Sequence, residues 1–323
     1  VNIAPQDISV IVQGPIIAES HAEAGTARCL SAIREHLPEA EIILSTWKGA
    51  DGQGLDFDAL IENDDPGAVP LPWGPPSNIN RQIVSTQSGL KRGGRAYAMK
   101  IRTDCLLTSD ACLARFNDFP ARSDNYLFFQ QRILIPEIFS RDPALDAAPF
   151  LFHPSDVFQF GRMEDLRQLW DIPRLQANDL VIRAQQPWYF NLYPGSWRCM
   201  PEQYIWTAFL EKHGVAASLE GYWQFTLAQA VVSEASIVNN FQIVGHDAMG
   251  LQLPRRLTEF WNAHSVYTHG AWTELYRSYC ENGGNPSRIR KRLNCLNRRH
   301  WMRVLRHLRS LHRNVFFVWK KSR

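Results

Sequence analysis

Tyr97-Ala98-Met99-Lys100-Ile101-Arg102-Thr103-Asp104 is an apolar run that gains charge toward one end and stops at an aspartate. Strand side chains alternate between faces, so Lys100, Arg102 and Asp104 project together while Tyr97, Met99 and Ile101 take the opposite side. Charges at the carboxyl end of a buried strand fit an open α/β sheet, whose ligands lie in the crevice outside those ends. On this segment alone two readings stand: a polyanion or metal site, or a structural Arg–Asp pair that closes a sheet edge.

Upstream, Asp7-Ile8-Ser9-Val10-Ile11-Val12-Gln13 reads as a first strand ended by the Gly14-Pro15 turn. A helix over 24–36 and a second strand over 41–47 follow at the spacing of a βαβ unit, which opens a parallel sheet. The pattern then predicts a short helix over 55–61 and a loop over 63–77, whose five prolines give it two stiff arms able to wrap a ligand. A helix over 78–91, with Ile79, Ile83, Val84 and Leu90 inward, leads into the charged strand. With no Gly-x-Gly-x-x-Gly, a dinucleotide fold fits this alternation less well than a nucleotide-sugar fold. Downstream the spacing predicts strands over 125–130, around Ser218 and over 237–244, and helices over 162–170, 201–213, 253–263 and 272–280.

At 323 residues and 45% apolar, the chain has enough material for one large core. No apolar run approaches the roughly 20 residues that span a bilayer, and the N-terminus lacks the pattern of a secretory signal. Six scattered cysteines without a Cys-x-x-Cys or zinc spacing read as reduced thiols of a cytoplasmic protein. The net charge of +3 hides an asymmetry: residues 285–323 hold thirteen Lys or Arg and no Asp or Glu, against twenty-two basic and thirty-two acidic residues before them. Two units are therefore expected, 1–284 and a basic amphipathic extension over 285–323.

Several separated motifs carry a family likeness: Asp7 to Ile16, Ile43-Leu-Ser-Thr-Trp47-Lys-Gly49, Asn78-Ile-Asn-Arg-Gln-Ile83, Lys100-Ile-Arg-Thr-Asp104, His153-Pro-Ser-Asp156, Pro201-Glu-Gln-Tyr204 and Asn239-Asn-Phe241. Together, from about Asp7 to Phe260, they resemble the WavE family of lipopolysaccharide-synthesis proteins. That resemblance implies a GT-A-like glycosyltransferase: a central, mostly parallel sheet flanked by helices, a nucleotide-sugar donor with a UDP-sugar as default, and a lipopolysaccharide core or related surface glycan as acceptor. A noncatalytic nucleotide-sugar or glycan-binding subunit is the alternative.

Glycosyl transfer must stabilise negative charge on the departing diphosphate, through a divalent cation or through fixed Arg and Lys groups. By the resemblance Asp104 is the candidate for a Mn²⁺ or Mg²⁺ ligand or a ribose-and-phosphate contact. The usual Asp-x-Asp has Arg102 in its first position here, so Arg102 and Lys100 are candidates to neutralise phosphate directly. Gln13, Gly14 and Pro15 end the first strand where base and ribose approach, and Thr46 closes the second. Asn80 and Arg81 open a helix suited to anion or hydroxyl recognition, and Trp47 reads as packing. Glu202, at a helix start, is the candidate general base for inverting transfer, with Asp156 its rival and His153 a residue to orient it. By the resemblance His246 and Asp247 are late candidates for the diphosphate or the metal.

In the tail, Arg298, Arg299, Arg303, Arg306, Arg309 and Arg313 interleave with Trp301, Leu305, Leu308, Leu311 and Phe316 as a cationic amphipathic helix. It suits an anionic membrane surface and a peripheral location on the inner face of the cytoplasmic membrane, where a lipid-linked acceptor lies. No base-reading module accompanies the charge, so no nucleic-acid partner is expected.

Overall fold

The computed structural model describes residues 3–18, 25–70, 76–145, 149–176, 179, 198–221, 224–259 and 265–321, with the backbone alone at 282 and 307–321. Seven strands form one sheet: β1 (Ile8–Gln13), β2 (Glu41–Trp47), β3 (Ala59–Asn63), β4 (Tyr97–Arg102), then β6 (Ile133–Pro136), β7 (Gln159–Arg162) and β8 (Phe241–Val244), in the order β3-β2-β1-β4-β7-β6-β8. A separate two-stranded ribbon pairs β5 (Leu106–Leu107) with β9 (Leu251–Gln252). All neighbours in the large sheet are parallel except β7, which runs against both β4 and β6. The mixed α/β architecture is consistent with a GT-A-like fold.

Alternation along the strands fills two cores. Val10, Val12, Ile42, Leu44, Met99 and Ile101 face one side, where helix α1 (Thr26–His36) contributes Cys29, Leu30 and Ile33. Ile11, Ile43 and Ala98 face the other, against Ile79, Ile83 and Leu90 of α2 (Ile79–Arg92). Helices on both faces allow the strands to be apolar on both, which is why β1 is buried throughout. The strand order turns between β1 and β4, so the crevice of an open α/β sheet falls there.

The first half follows the sequence reading except at β3, where the expected helix over 55–61 gives way to a strand. As an edge strand paired only with β2, it alternates half-buried and exposed positions and carries little apolar signal. The second half departs more. The run over 125–130 forms no strand: Phe128 and Phe129 pack against Trp206 and Phe209, and their amides donate to Asn240 Oδ1. The true strand, β6, lies just beyond. The expected strand over 237–244 is half helix, because α6 (Leu227–Asn240) runs to Asn240 before β8 begins, and Ser218 lies outside any strand.

Helix α4 (Met163–Trp170), α5 (Pro201–Lys212) and α8 (His269–Tyr279) lie close to their expected places; α3 is the short Ala111–Arg115 turn of helix. Of the helix expected over 253–263, α7 (Arg255–Thr258) forms, and 260–264 lie outside the described residues. So do Ala24, residues 71–75 of the proline-rich loop, and the side chains of Leu308, Arg309, Leu311, Arg313 and Phe316.

The basic tail is a 36-residue helix, α9 (Pro286–Lys321), and its first half is built into the body. Leu296 is buried, Ile289 and Leu293 pack on the core, and Arg292 donates to Glu234 Oε1 at 2.6 Å and Asp142 Oδ1 at 3.0 Å.

Candidate active site

The carboxyl ends of β1 to β4 come to one edge because those strands are parallel. There Gln13, Gly14 and Pro15, Trp47, and Arg102 with Thr103 line a cleft of about 690 Å³. β7 runs the other way, so the residues before its start, Asp156 and Val157, reach the same edge. Arg81 and Gln82 arrive from the first turn of α2, Pro201 and Glu202 from the start of α5, and Arg256 from α7. Asp65 and Ser77, from the two arms of the proline-rich loop, complete one wall.

Gly14 sits at φ +128°, a backbone that L side chains rarely adopt, and a Cβ there would lie 3.1 Å from Thr103 Oγ1. The cleft floor therefore requires a glycine between β1 and β4. Gln13 is fixed beside it by a 2.9 Å bond from Ser85 Oγ to its Oε1.

Two groups of charge line the cleft. Asp104 is only 3% exposed, and Arg102 grips it through Nε to Oδ1 at 2.9 Å and a second nitrogen to Oδ2 at 3.2 Å. Arg256 donates to the same Oδ2. Asp104 does not line the cleft; the two guanidiniums it holds do. Burial and the nearby Arg102 both lower the Arg256 pKa. Of the two readings of the charged strand, the Arg–Asp pair is present, and both of its arginines are among the residues that line the cleft.

The expected metal-ligand role of Asp104 does not fit this arrangement. Both carboxylate oxygens are engaged by guanidiniums, and no cluster of three or more His, Cys, Asp or Glu that would hold an ion occurs among the described residues. A divalent cation at Asp104 would have to displace two arginines.

In the second group, Glu202 is raised to about 8, first by burial and then by the charge of Asp156. Its Oε2 lies 3.7 Å from His153 Nε2. The His153 Nδ1 is 2.8 Å from the carbonyl of Phe139, which only accepts, so Nδ1 carries the proton and Nε2 presents a lone pair toward Glu202. Burial, then Arg141, pushes His153 down to about 3 and keeps it neutral. Phe139 and Phe152, which supply this histidine's acceptor and its preceding peptide, have φ of +63° and +56°. Such strain in non-glycine residues persists only where the surroundings hold it, and it gathers at functional sites.

Lys100 stands under this wall. It is fully buried, lies 4.9 Å above the Trp170 ring, and donates to the backbone carbonyl of Asp156. Burial lowers it to about 8, partly offset by Asp156. Its expected role as a phosphate contact gives way to one that fixes the peptide of Asp156.

Of the residues read from sequence, the cleft unites Gln13, Gly14, Pro15, Arg81, Arg102, Asp156 and Glu202. Arg81 is clamped by Asp65 at 2.8 and 2.7 Å and by Asn78 at 2.8 Å, so it enters as half of an ion pair. Thr46 is buried and absent from the cleft wall, because alternation turns it away from the α2 side that Ser45 faces. Asn80 is spent on the backbone of Leu175, accepting from its nitrogen and donating to its oxygen. His246 and Asp247 lie outside the cleft, 3.6 Å from each other. Arg256, Asp65, Thr103 and Phe139 also line the cleft without a role in the sequence reading; Asp65 has a signal in its place in the proline-rich loop and Thr103 in its place between Lys100 and Asp104.

Comparison with known proteins adds the family. The model of the WavE lipopolysaccharide synthesis family matches residues 8–308, nearly the whole chain. The chain belongs to that family. The WavE match takes in every cleft residue named above and also the first part of α9, so the helix that carries Arg292 falls within the family's span. No curated protein matches the chain. Among the described residues no helix of this WavE protein is long and apolar enough to cross a membrane.

Proposed function

We propose that the chain is a glycosyltransferase that moves a sugar from a nucleotide-sugar donor to a lipopolysaccharide core or related bacterial surface glycan. The observation that carries this reading is the presence of two arginines, Arg102 and Arg256, and a carboxylate of raised pKa, Glu202, in one cleft at the carboxyl edge of the sheet. The bond between the anomeric carbon and the diphosphate oxygen breaks, and its electron pair leaves with the diphosphate. Arg102 and Arg256, pre-aimed by Asp104, offset that charge without reorganisation. The acceptor hydroxyl attacks the anomeric carbon and Glu202 takes its proton, which gives inversion. His153 positions the Glu202 carboxyl, and Asp156 tunes it or holds an acceptor hydroxyl. UDP remains the default nucleotide, and the inner face of the cytoplasmic membrane the place of work.

A noncatalytic nucleotide-sugar-binding subunit is the second reading, favoured by the engagement of Asp104 in ion pairs rather than in an open cation site. The test is a thermal-shift screen against UDP, GDP, CMP and dTDP, each with Mn²⁺ and with EDTA, followed by Glu202→Gln. A transferase keeps nucleotide-dependent stabilisation in E202Q and loses turnover by about 10²–10⁴-fold. A binding subunit keeps the shift and has no turnover in either form, and a chain that no nucleotide stabilises overturns both.

A further inference from the structure

Helix α9 divides its cations between two faces. Arg292, Leu296, Arg299 and Arg303 recur at i, i+4, i+7 and i+11, one side of a helix, and all four are committed to the body. Arg292 holds Glu234 and Asp142, Arg299 donates to the Ala144 carbonyl at 2.7 Å, and Arg303 donates to the carbonyls of Pro143 and Ala144 at 3.1 and 3.0 Å. His300 stacks on Phe225 at 4.9 Å beside them.

The opposite side is left outward. Trp301, Met302 and Leu305 are 58%, 50% and 47% exposed, while the other exposed large apolar side chains among the described residues are scattered singly through the chain. Arg298, exposed, lies among the three at i−3 from Trp301 and i−4 from Met302, and Arg306, also exposed, borders them at i+4 from Met302, at the edge where this face meets the side of Arg299 and Arg303. From 285 onward the sequence has thirteen Lys or Arg and no acid.

We infer that this face of α9, Trp301, Met302 and Leu305 with Arg298 and Arg306, lies in the interface of an anionic phospholipid bilayer. The apolar stripe enters the headgroup and acyl boundary, tryptophan being suited to that depth, and the arginines meet the lipid phosphates. Charge complementarity selects this occupant. A second copy on the same face would set Arg298 and Arg306 against their own kind in an isologous contact. A nucleic acid would gain nothing from the apolar side chains placed between the arginines. This deepens the membrane location proposed above, yet vesicle binding is read without turnover, so failure here and failure of the transferase reading are distinguishable.

The experiment is co-sedimentation of the full chain with phosphatidylcholine vesicles and with the same vesicles containing phosphatidylglycerol, at low and high salt. The expected result is binding to the anionic vesicles alone, weakened by salt. Arg298→Gln with Arg306→Gln lowers partitioning by roughly 30-fold, about fivefold per arginine. Trp301→Ser with Leu305→Ser lowers it by at least about tenfold and, being exposed, leaves the thermal melt in place. Arg299→Gln with Arg303→Gln changes it by less than about threefold, because those groups serve the body. Equal binding to neutral vesicles, no binding to either, equal losses from the two arginine pairs, or a dimer abolished by W301S/L305S in the absence of vesicle binding would each overturn the inference.

Discussion

Arg256 donates to the carboxylate of Asp104 across 152 residues of chain. The contact ties the short helix α7 to the end of the charged strand β4, so a cation from late in the sequence joins a cleft lined from early strands. Asp104 is buried while Arg102 and Arg256 are 29% and 55% exposed, which makes the aspartate the more costly member to leave unpaired. Arg102→Gln with Arg256→Gln should therefore destabilise by about 3–5 kcal/mol in urea unfolding, against about 1.5–3 kcal/mol for Asp104→Asn. Asp104→Asn should still lose nucleotide-dependent thermal stabilisation, since it releases both arginines from their aim. Nucleotide shifts equal to wild type in this variant would detach Asp104 from the site.

Glu202 gives a pH signature with a fixed sign. Its folded pKa is raised from an ordinary value of 4.5 to about 8, so the folded state holds the proton more tightly than the unfolded one. The stability this contributes is fully present below pH 4.5 and is lost as pH rises through 8. Urea unfolding of wild type and Glu202→Gln should agree at the acid end, and wild type should fall behind by a few kcal/mol, in order of magnitude, at pH 8 and above. Turnover should climb over the same window as the base is freed, a limb absent from E202Q. A difference between the two proteins that stays flat from pH 4.5 to 8.5 would remove the raised carboxyl.

Gly89 shows how closely the site helix sits on the sheet. A Cβ at this position in α2 would lie 2.2 Å from Ile11 Cγ2 and 3.6 Å from Ser45 Cβ. Gly89→Ala gains about 1 kcal/mol of helix propensity but overpacks a core contact that costs about 1–3 kcal/mol, and at 2.2 Å the upper end applies. The net expectation is a loss of about 1–2 kcal/mol in urea unfolding, with weaker nucleotide stabilisation as well, because α2 carries Arg81 and Gln82 into the cleft. Unchanged nucleotide shifts beside a lowered melting temperature would show that the first turn of α2 holds its place independently of Gly89.

What the sequence disclosed follows from where each signal is local. β1, β2, β4, α1 and α2 are buried or amphipathic in the ordinary periods, and Gln13, Arg102 and Glu202 stand at element ends, where sheet topology delivers them to one edge. β3 differs from the helix its sequence predicts because an edge strand, paired only with β2, buries little and leaves a weak alternation. The segment over 125–130 was misread because its amides are satisfied by the Asn240 side chain, so an apolar run there needs no sheet. Arg256 was invisible because Pro254-Arg255-Arg256 looks like any charged turn until the chain brings it to Asp104. Thr46 and Asn80 stand at element ends like the others, but strand alternation turns Thr46 away from the cleft and the Leu175 backbone occupies Asn80.

The anchoring of α9 separates two possible boundaries for the body, one at 285 and one further along the helix. Arg292 is the decisive residue: Glu234 is fully buried and Asp142 nearly so, and removing their shared cation leaves two carboxylates without it in the interior. Arg292→Met should cost about 3–5 kcal/mol in urea unfolding. Deleting 285–323 should cost at least as much, since it also strips Leu293 and Leu296 from the core. A body over 1–284 that unfolds at the same urea concentration as the full chain would restore the boundary at 285 and make the buried ion pairs incidental. Loss of stability in that deletion, matched by R292M, makes the first half of α9 a structural helix of the same core that holds the cleft.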